Sequence, residues 1–168
     1  MEAYKAIVTK RDRREFDSRP VAAETVRRIL QAGRMAGSSR NSQPLRFVVL
    51  QKGRAKVEAL ALCTFGGASA PMTRAPLVVA ALAQEGGGDF DVGRAVQNML
   101  IAAWAEGVLS VPQGIRDAEA ARRAVGAPED MRVAMAAAFG YADPSPTQSG
   151  RPSQPRLPFD EVMHWEGW

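Results

Sequence analysis

The alternation of apolar and polar positions divides the chain into helical and extended segments. Apolar residues at helical spacing predict helices over residues 1–9, 24–35, 55–62, 92–106 and 117–125. Short, nearly continuous apolar runs bounded by Gly or Pro predict strands at 47–50, 77–82, 108–111 and 133–139. Helices that alternate irregularly with about four strands indicate an α+β domain or a mixed three-layer domain.

The helix predicted over 92–106 is unusual because residues 100–103 are apolar on every side of it. A helix of this kind is buried either in a core or in a subunit interface. In a chain of only 168 residues the interface is the more attractive explanation. The pattern therefore favours an oligomer, with burial in the chain's own core as the alternative.

The C-terminal part of the chain, residues 144–168, reads as an arm. Five prolines between 144 and 158 exclude both a helix and a central strand there. Such a segment is either disordered or extended along another surface. Because the last ten residues include Phe159, Val162, Met163, Trp165 and Trp168, which favour burial, we expect an arm held at its end.

Composition limits the class of protein. The length favours one domain over 1–168, and 46% hydrophobic with 24% charged residues is ordinary for a globular chain. One cysteine, Cys63, and one histidine, His164, exclude an internal disulfide and a zinc site of standard composition. With neither a signal sequence nor a run of 18 apolar residues, we expect a cytoplasmic protein without membrane contact.

The charge is dominated by arginine, which supplies 18 of the 22 basic residues and gives a pI of about 9.7 at a net charge of +4. Arginine suits planar recognition of phosphate and carboxylate. Nucleic-acid binding would require a basic stripe with interleaved aromatic residues. The sequence has no such stripe, so we do not expect nucleic acid as a partner.

Three separated segments carry the candidate chemistry: residues 10–14, 38–43 and 154–156. The first and last are cationic, and the middle one is rich in hydroxyls and amides. Arginines can hold a phosphate through charge-assisted bonds, and Asn and Gln amides can read the edge of a heterocycle. If the segments converge, they favour a phosphorylated heteroaromatic ligand. Taken singly, each is more often a solvated surface or a turn.

Four motifs occur in order along the chain: the basic opening at 9–16, the loop at 38–44, the helix residues 97–107 and the closing segment 156–165. Together they resemble the nitroreductase-like family of FMN-dependent NAD(P)H oxidoreductases. The chain departs from the family pattern at three positions. Asp12 stands where serine is usual, Gly37 replaces a proline and Leu45 replaces a tryptophan.

The resemblance implies a three-layer α/β/α domain with a mixed central sheet, in a homodimer with an extended C-terminal arm and two shared FMN sites. The ribityl phosphate would be surrounded by Lys10, Arg11, Asp12, Arg14 and Arg156. The partner chain would contribute Ser39, Asn41 and Gln43. The isoalloxazine would lie along the backbone of Pro112, Gln113, Gly114 and Ile115.

The reaction that the resemblance implies is ping-pong reduction of nitroaromatics, quinones or similar electron-poor acceptors. NAD(P)H would give a hydride to flavin N5 and leave before the acceptor binds, with no metal and no catalytic side chain. Cys63 and His164 are expected to pack rather than to transfer protons. The alternatives are a flavoenzyme of other chemistry (dehalogenation, heterocycle oxidation or flavin fragmentation) and a non-catalytic binder of FMN or another phosphorylated ligand.

Asp12 needs an explanation within this scheme. A carboxylate about 4 Å from a phosphate costs on the order of 4 kcal/mol per unit charge at an effective dielectric constant near 20. We therefore expect the Asp12 carboxylate to turn away from the ligand, toward Arg13 or a backbone N–H.

Overall fold

A computed structural model describes residues 1–51, 53–84, 88–142 and 155–168. Within these ranges the helices are α1 (Ala3–Thr9), α2 (Ala23–Arg34), α3 (Arg54–Leu62), α4 (Asp89–Ala105), α5 (Ala118–Val125) and α6 (Phe159–Val162). The strands are β1 (Leu45–Leu50), β2 (Leu77–Gln84), β3 (Leu109–Gly114) and β4 (Met131–Gly140). Short 3-10 turns cover Ser39–Asn41, Gly67–Ser69 and Pro71–Thr73. None of the described helices is both long and apolar enough to cross a membrane.

The four strands form one sheet in the order β1-β2-β4-β3, and each neighbouring pair is antiparallel. The family resemblance implies a sheet with both parallel and antiparallel pairing. In the described ranges, the parallel pairing is limited to one isolated bridge between Asp12 and Ser110 at the outer edge of β3. The sheet therefore has two outer strands, β1 and β3. No other strand of the described chain pairs with the outer side of β1.

Alternate side chains of the sheet supply two separate cores. Val78, Ala80 and Leu82 of β2 face α3 and α5, whereas their neighbours face α2 and α4. Both faces of a central strand are thus apolar, which explains why the sequence of β2 is a continuous hydrophobic run. The three-layer α/β/α architecture expected from the sequence is confirmed.

Helix α4 contributes more to the chain's own core than its pattern suggested. The buried side of α4 packs on α2 and on the sheet, through Val92, Ala95, Val96, Met99, Leu100 and Ala103. Ile101 and Ala102 remain half-buried in the single chain. Core burial accounts for most of this helix, and its participation in a subunit interface stays a prediction.

Two local features differ from the expectations. The strand predicted at 108–111 runs on through Gly114 as β3, because a proline without an N–H is tolerated on an edge strand. The C-terminal arm contains the short helix α6, which follows Pro158 and has Asp160 and Glu161 in its first turn, where carboxylates are favourable. Asp117 is the N-cap of α5, since its side chain accepts from the Ala120 N–H at 2.9 Å.

The described part of the arm, residues 155–168, is exposed at every position. Its large apolar side chains are Leu157, Phe159, Val162, Met163, Trp165 and Trp168. The burial expected for them is therefore not provided by the chain's own surface. Residues 144–154 of the arm lie outside the described residues.

Candidate active site

The outer edge of β3 is held by other segments at two points. Near its start, the Arg13 N–H donates to the Ser110 carbonyl at 3.0 Å, within the parallel bridge to Asp12. At its end, the Phe65 N–H donates to the Gly114 carbonyl at 3.3 Å. Ser110 and Gly114 are four residues apart, which corresponds to about 13 Å along a strand. We call this interval of edge the β3 slot.

The backbone inside the β3 slot is not paired with another strand on its outer side in the described chain. Pro112 has no N–H, and its carbonyl accepts from the side-chain amide of Gln113 at 2.8 Å. Pro112, Gln113 and Ile115 are half-buried, and Gly114 is exposed. A flat molecule can therefore lie along this edge without displacing a ladder of backbone hydrogen bonds.

The cationic end of the slot contains an ion pair that the sequence did not predict. The Lys10 ammonium binds the Asp12 carboxylate, so the expected turn of Asp12 toward Arg13 or a backbone N–H is wrong. The two residues are two positions apart on an extended segment, which places their side chains on the same side. The Lys10 side chain is 8% exposed and that of Asp12 is 43% exposed, so the Asp12 carboxylate neutralises the more buried ammonium group of Lys10.

The exposed arginines of this segment are Arg11, Arg13 and Arg14. The Arg11 guanidinium donates to the carbonyls of Val8 at 2.9 Å and Lys10 at 2.8 Å, where it meets the C-terminal end of α1. A guanidinium has five donors, so this contact leaves others for an anion. The segment 10–14 thus retains a surplus of positive charge beside Ser110.

The amide-rich loop, residues 38–43, is held by a hydrogen bond across itself and by one from α4 to the residue before it. The Gln43 N–H donates to the Ser38 hydroxyl at 2.9 Å, and Arg94 of α4 donates to the Gly37 carbonyl at 2.8 Å. A Cβ atom at Gly37 would lie 2.9 Å from a guanidinium nitrogen of Arg94. Glycine at this position therefore allows Arg94 to hold the start of the loop.

The backbone of this loop is strained. Arg40, Asn41 and Gln43 have φ values of 51°, 55° and 49°, in the left-handed region that disfavours residues with a Cβ. All three residues are exposed, so packing of the chain's own core does not impose this conformation. Strained backbone of this type concentrates at ligand-binding sites.

Arg40→Gly is expected to raise the free energy of unfolding by about 0.5–1 kcal/mol, because glycine adopts positive φ without the Cβ penalty but loses more entropy on folding. The control Arg123→Gly lies inside α5 and should lower it by about 1 kcal/mol. Urea unfolding at one protein concentration measures both. Equal destabilisation by the two substitutions would show that the loop conformation carries no strain.

The cationic segment and the loop lie far apart within one chain. Helix α4 contacts the residue that precedes each of them: Arg94 donates to the Gly37 carbonyl, and the Trp104 indole N–H donates to the Thr9 hydroxyl at 3.0 Å. Residues 94 and 104 are ten positions apart, which is about 15 Å along a helix. The structure therefore places residues 10–14 beside Ser110, at the start of the strand that continues through Gly114, whereas the loop with Ser39, Asn41 and Gln43 follows the Gly37 contact of Arg94.

The third predicted segment is only partly described. Arg156 lies in the exposed arm, whereas Gln154 falls outside the described residues. A role of Arg156 at the phosphate site therefore stays a prediction.

The single cysteine and the single histidine both make contacts of their own, away from residues 10–14. The Cys63 thiol is buried and donates to the Ala59 carbonyl at 3.2 Å, and burial, followed by the charge of Asp117, raises its pKa. A thiol of this type stays protonated at neutral pH and is unreactive. His164 stacks on Trp168 in the arm, with ring centroids 4.2 Å apart. Among the described residues no group of three acidic, His or Cys side chains is placed to hold a metal.

Sequence reasoning missed one residue at the slot, Phe65. Its exposed ring lies against Gly114. Neither the helix predicted over 55–62 nor the glycine-rich connection after it indicates such a contact. The only signal was an aromatic residue immediately before Gly66 and Gly67.

Comparisons with known proteins agree with this architecture. The sequence matches the Nitroreductase family over residues 7–79 and 66–141. A protein of Archaeoglobus fulgidus named NADH dehydrogenase/NAD(P)H nitroreductase is 30% identical over 149 residues, which cover 83% of this chain and 85% of that protein.

Solved structures share the fold over the whole chain. An FMN-dependent nitroreductase from Clostridium difficile R20291 superposes with a TM-score of 0.82 at 20% identity, covering 98% of this chain and 99% of its own. Nitroreductase A from Vibrio parahaemolyticus superposes with a TM-score of 0.83 at 25% identity, covering 100% of this chain and 78% of its own.

The fold and the site define the protein as an oxidoreductase with a three-layer α/β/α architecture. The chain belongs to the nitroreductase family.

Proposed function

We propose that the protein is an FMN-dependent oxidoreductase that uses NAD(P)H to reduce nitroaromatics, quinones or similar electron-poor acceptors in a ping-pong reaction. The names of its relatives support FMN as the cofactor and NAD(P)H as the co-substrate. The observation that carries the proposal is the β3 slot, an unpaired edge of backbone with a cationic segment at one end.

The residues at the slot fit FMN. Its phosphate matches the surplus positive charge of residues 10–14, and a planar ring system matches the edge at 112–115. The Ser110 hydroxyl, at the junction of the two, is fully buried and has no hydrogen-bond partner in the described chain. An unpaired buried hydroxyl costs about 1–3 kcal/mol, which a polar ligand atom beside it could offset.

The chain itself supplies binding and orientation. Bound FMN would provide the two-electron chemistry, accepting a hydride from NAD(P)H and passing electrons to the acceptor. The protein holds the phosphate with Arg11 and Arg14 and aligns the ring along β3. With Cys63 protonated and His164 in the arm, no side-chain acid or base is assigned to the step.

A homodimer would complete the site. The loop 38–43 and the cationic segment lie at opposite ends of α4, so a second copy would have to bring the loop to the slot. The exposed arm also favours a homodimer. Burying its six large apolar side chains on a partner would gain on the order of 10 kcal/mol.

A surface suited to the arm lies between α2 and β1. This groove encloses about 980 Å³ and includes Leu30, Leu45, Phe47 and Val49. Four arginines and one carboxylate, Glu24, also line it; Arg28 already pairs with Glu106 at 2.6 Å, and the other arginines are Arg27, Arg34 and Arg46. The arm carries Asp160, Glu161 and Glu166, so the two surfaces are complementary in charge as well as apolar. We propose that the partner's arm covers this groove and the outer edge of β1.

The absorption spectrum of the freshly purified protein tests the cofactor. We expect a flavin spectrum, and with it steady NAD(P)H oxidation that depends on added quinone or nitroaromatic. Absence of flavin, together with failure to bind added FMN, would refute the proposal.

A non-catalytic binder is the second candidate. The observation that favours it is the Lys10–Asp12 ion pair, which removes one cation from the predicted phosphate site. Such a protein would bind FMN but would show no acceptor-dependent oxidation of NADH or NADPH. The same two measurements distinguish it from the enzyme.

Asp12→Ser is expected to raise FMN affinity by up to about tenfold, because the substitution releases the Lys10 ammonium from its ion pair and removes a charge repelled by phosphate. Fluorescence titration at low ionic strength measures the change. Asp130→Ser, at an exposed position elsewhere, is the control for net charge. A large loss of affinity in Asp12→Ser alone would mean that the carboxylate has a positive role in binding.

A further inference from the structure

Phe65 is a large aromatic residue that the fold holds at the surface. Its side chain is 77% exposed, although the residue before it, Thr64, is 1% exposed. Exposed aromatic residues are common singly, but this one is fixed on its backbone side. Its N–H donates to Gly114 at 3.3 Å, and Thr64 forms an antiparallel bridge with Ile115.

The ring of Phe65 rests on the strand because residue 114 is a glycine. A Cβ atom there would lie 3.1 and 3.3 Å from the Cδ2 and Cε2 atoms of the ring. A larger residue at 114 would therefore push the ring away from β3. One part of the ring is supported by backbone, and the remainder is open to solvent at the end of the slot opposite the cationic segment.

Hydrogen bonds hold the backbone immediately before Phe65 in place. The Thr64 hydroxyl donates to the Ala61 carbonyl at 2.7 Å, and the Cys63 carbonyl accepts from the N–H groups of Arg116 and Asp117 at 2.8 and 3.1 Å. These bonds join the end of α3 to the chain that follows β3. The backbone that carries Phe65 is thus held in place, which lowers the conformational entropy lost when its ring binds a second ring.

We infer that Phe65 is a specificity-determining residue that stacks the ring of an aromatic acceptor at the end of the β3 slot. The inference rests on the proposed function, because it requires a flavin along residues 112–115. Electron-poor rings such as quinones and nitroaromatics stack on a phenyl face in an offset arrangement. A non-aromatic electron acceptor gains nothing from this contact.

The comparison of two acceptors tests the inference. Phe65→Ala is expected to raise the KM for a naphthoquinone about fivefold to tenfold. Both the kcat and the KM measured with ferricyanide should stay unchanged. Phe65→Tyr, which retains the ring, should restore the naphthoquinone KM. Phe90→Ala is the matched control, because Phe90 is also 77% exposed but lies at the start of α4.

Each other outcome is decisive. Equal effects on both acceptors, or no effect on either, would overturn the role of Phe65 while the ferricyanide activity kept the proposed function intact. Loss of the dimer in Phe65→Ala, measured by sedimentation, would assign the residue to the subunit interface instead. Absence of ferricyanide reduction and of bound flavin in the unaltered protein would overturn the proposed function and the inference with it.

Discussion

Removal of residues 155–168 is expected to produce a monomer that no longer binds FMN. The arm exposes six large apolar side chains in the single chain, and no described part of the same chain buries them. Obligate interfaces commonly bury more than about 2,000 Å² and resemble a core, so losing the arm removes much of what holds two copies together. Without a partner, the α4 residues that contact Gly37 and Thr9, next to the loop and the cationic segment, remain about 15 Å apart along the helix.

Sedimentation velocity and FMN titration of the shortened chain measure the two effects. Arg156→Ala is the control, because it keeps the arm and removes one predicted phosphate contact. This variant should stay dimeric and bind FMN more weakly by about 1.5–3 kcal/mol, the cost of losing one charge-assisted hydrogen bond. A shortened chain that remained a dimer with FMN bound would exclude the arm from both roles.

The layers of the fold could be predicted from the sequence because they depend on local patterns. The flanking Gly140 and Pro144 predict a strand in the alanine-rich run at 133–139, and β4 confirms it as Met131–Gly140. Continuous apolar character in β2 indicated a strand covered on both faces, and two cores cover it. The pairing order β1-β2-β4-β3 follows from contacts between distant segments and had no local signal.

The candidate site was predictable in its chemistry but not in its geometry. Composition identified the cationic segment 10–14, yet the Lys10–Asp12 pair depends on the extended backbone that places the two side chains together. The positive φ values of Arg40 and Gln43 had no signal, because these residues rarely adopt them. The cytoplasmic location stays a prediction, since nothing in the fold tests it.

The proposed division of the site between two chains leads to the prediction that separates the alternatives most clearly. Arg11→Ala/Arg14→Ala should lower FMN affinity by about 10²–10⁴-fold in a homodimer, because two charge-assisted bonds are lost. Asn41→Gly/Gln43→Gly removes the amides of the loop without adding strain at positive φ, and it should also weaken binding. Arg123→Ala, on the exposed side of α5, should have little effect on affinity.

Mixed dimers of these two double variants, isolated with two different tags, should recover about one tight FMN site per dimer. In a shared site, one of the two sites receives both altered segments, and the other combines the unaltered cationic segment of one chain with the unaltered loop of its partner. Titration of the mixed dimer against both parent homodimers measures the recovery. If each chain built its site alone, every site in the mixed dimer would contain one defect, and tight binding would not return.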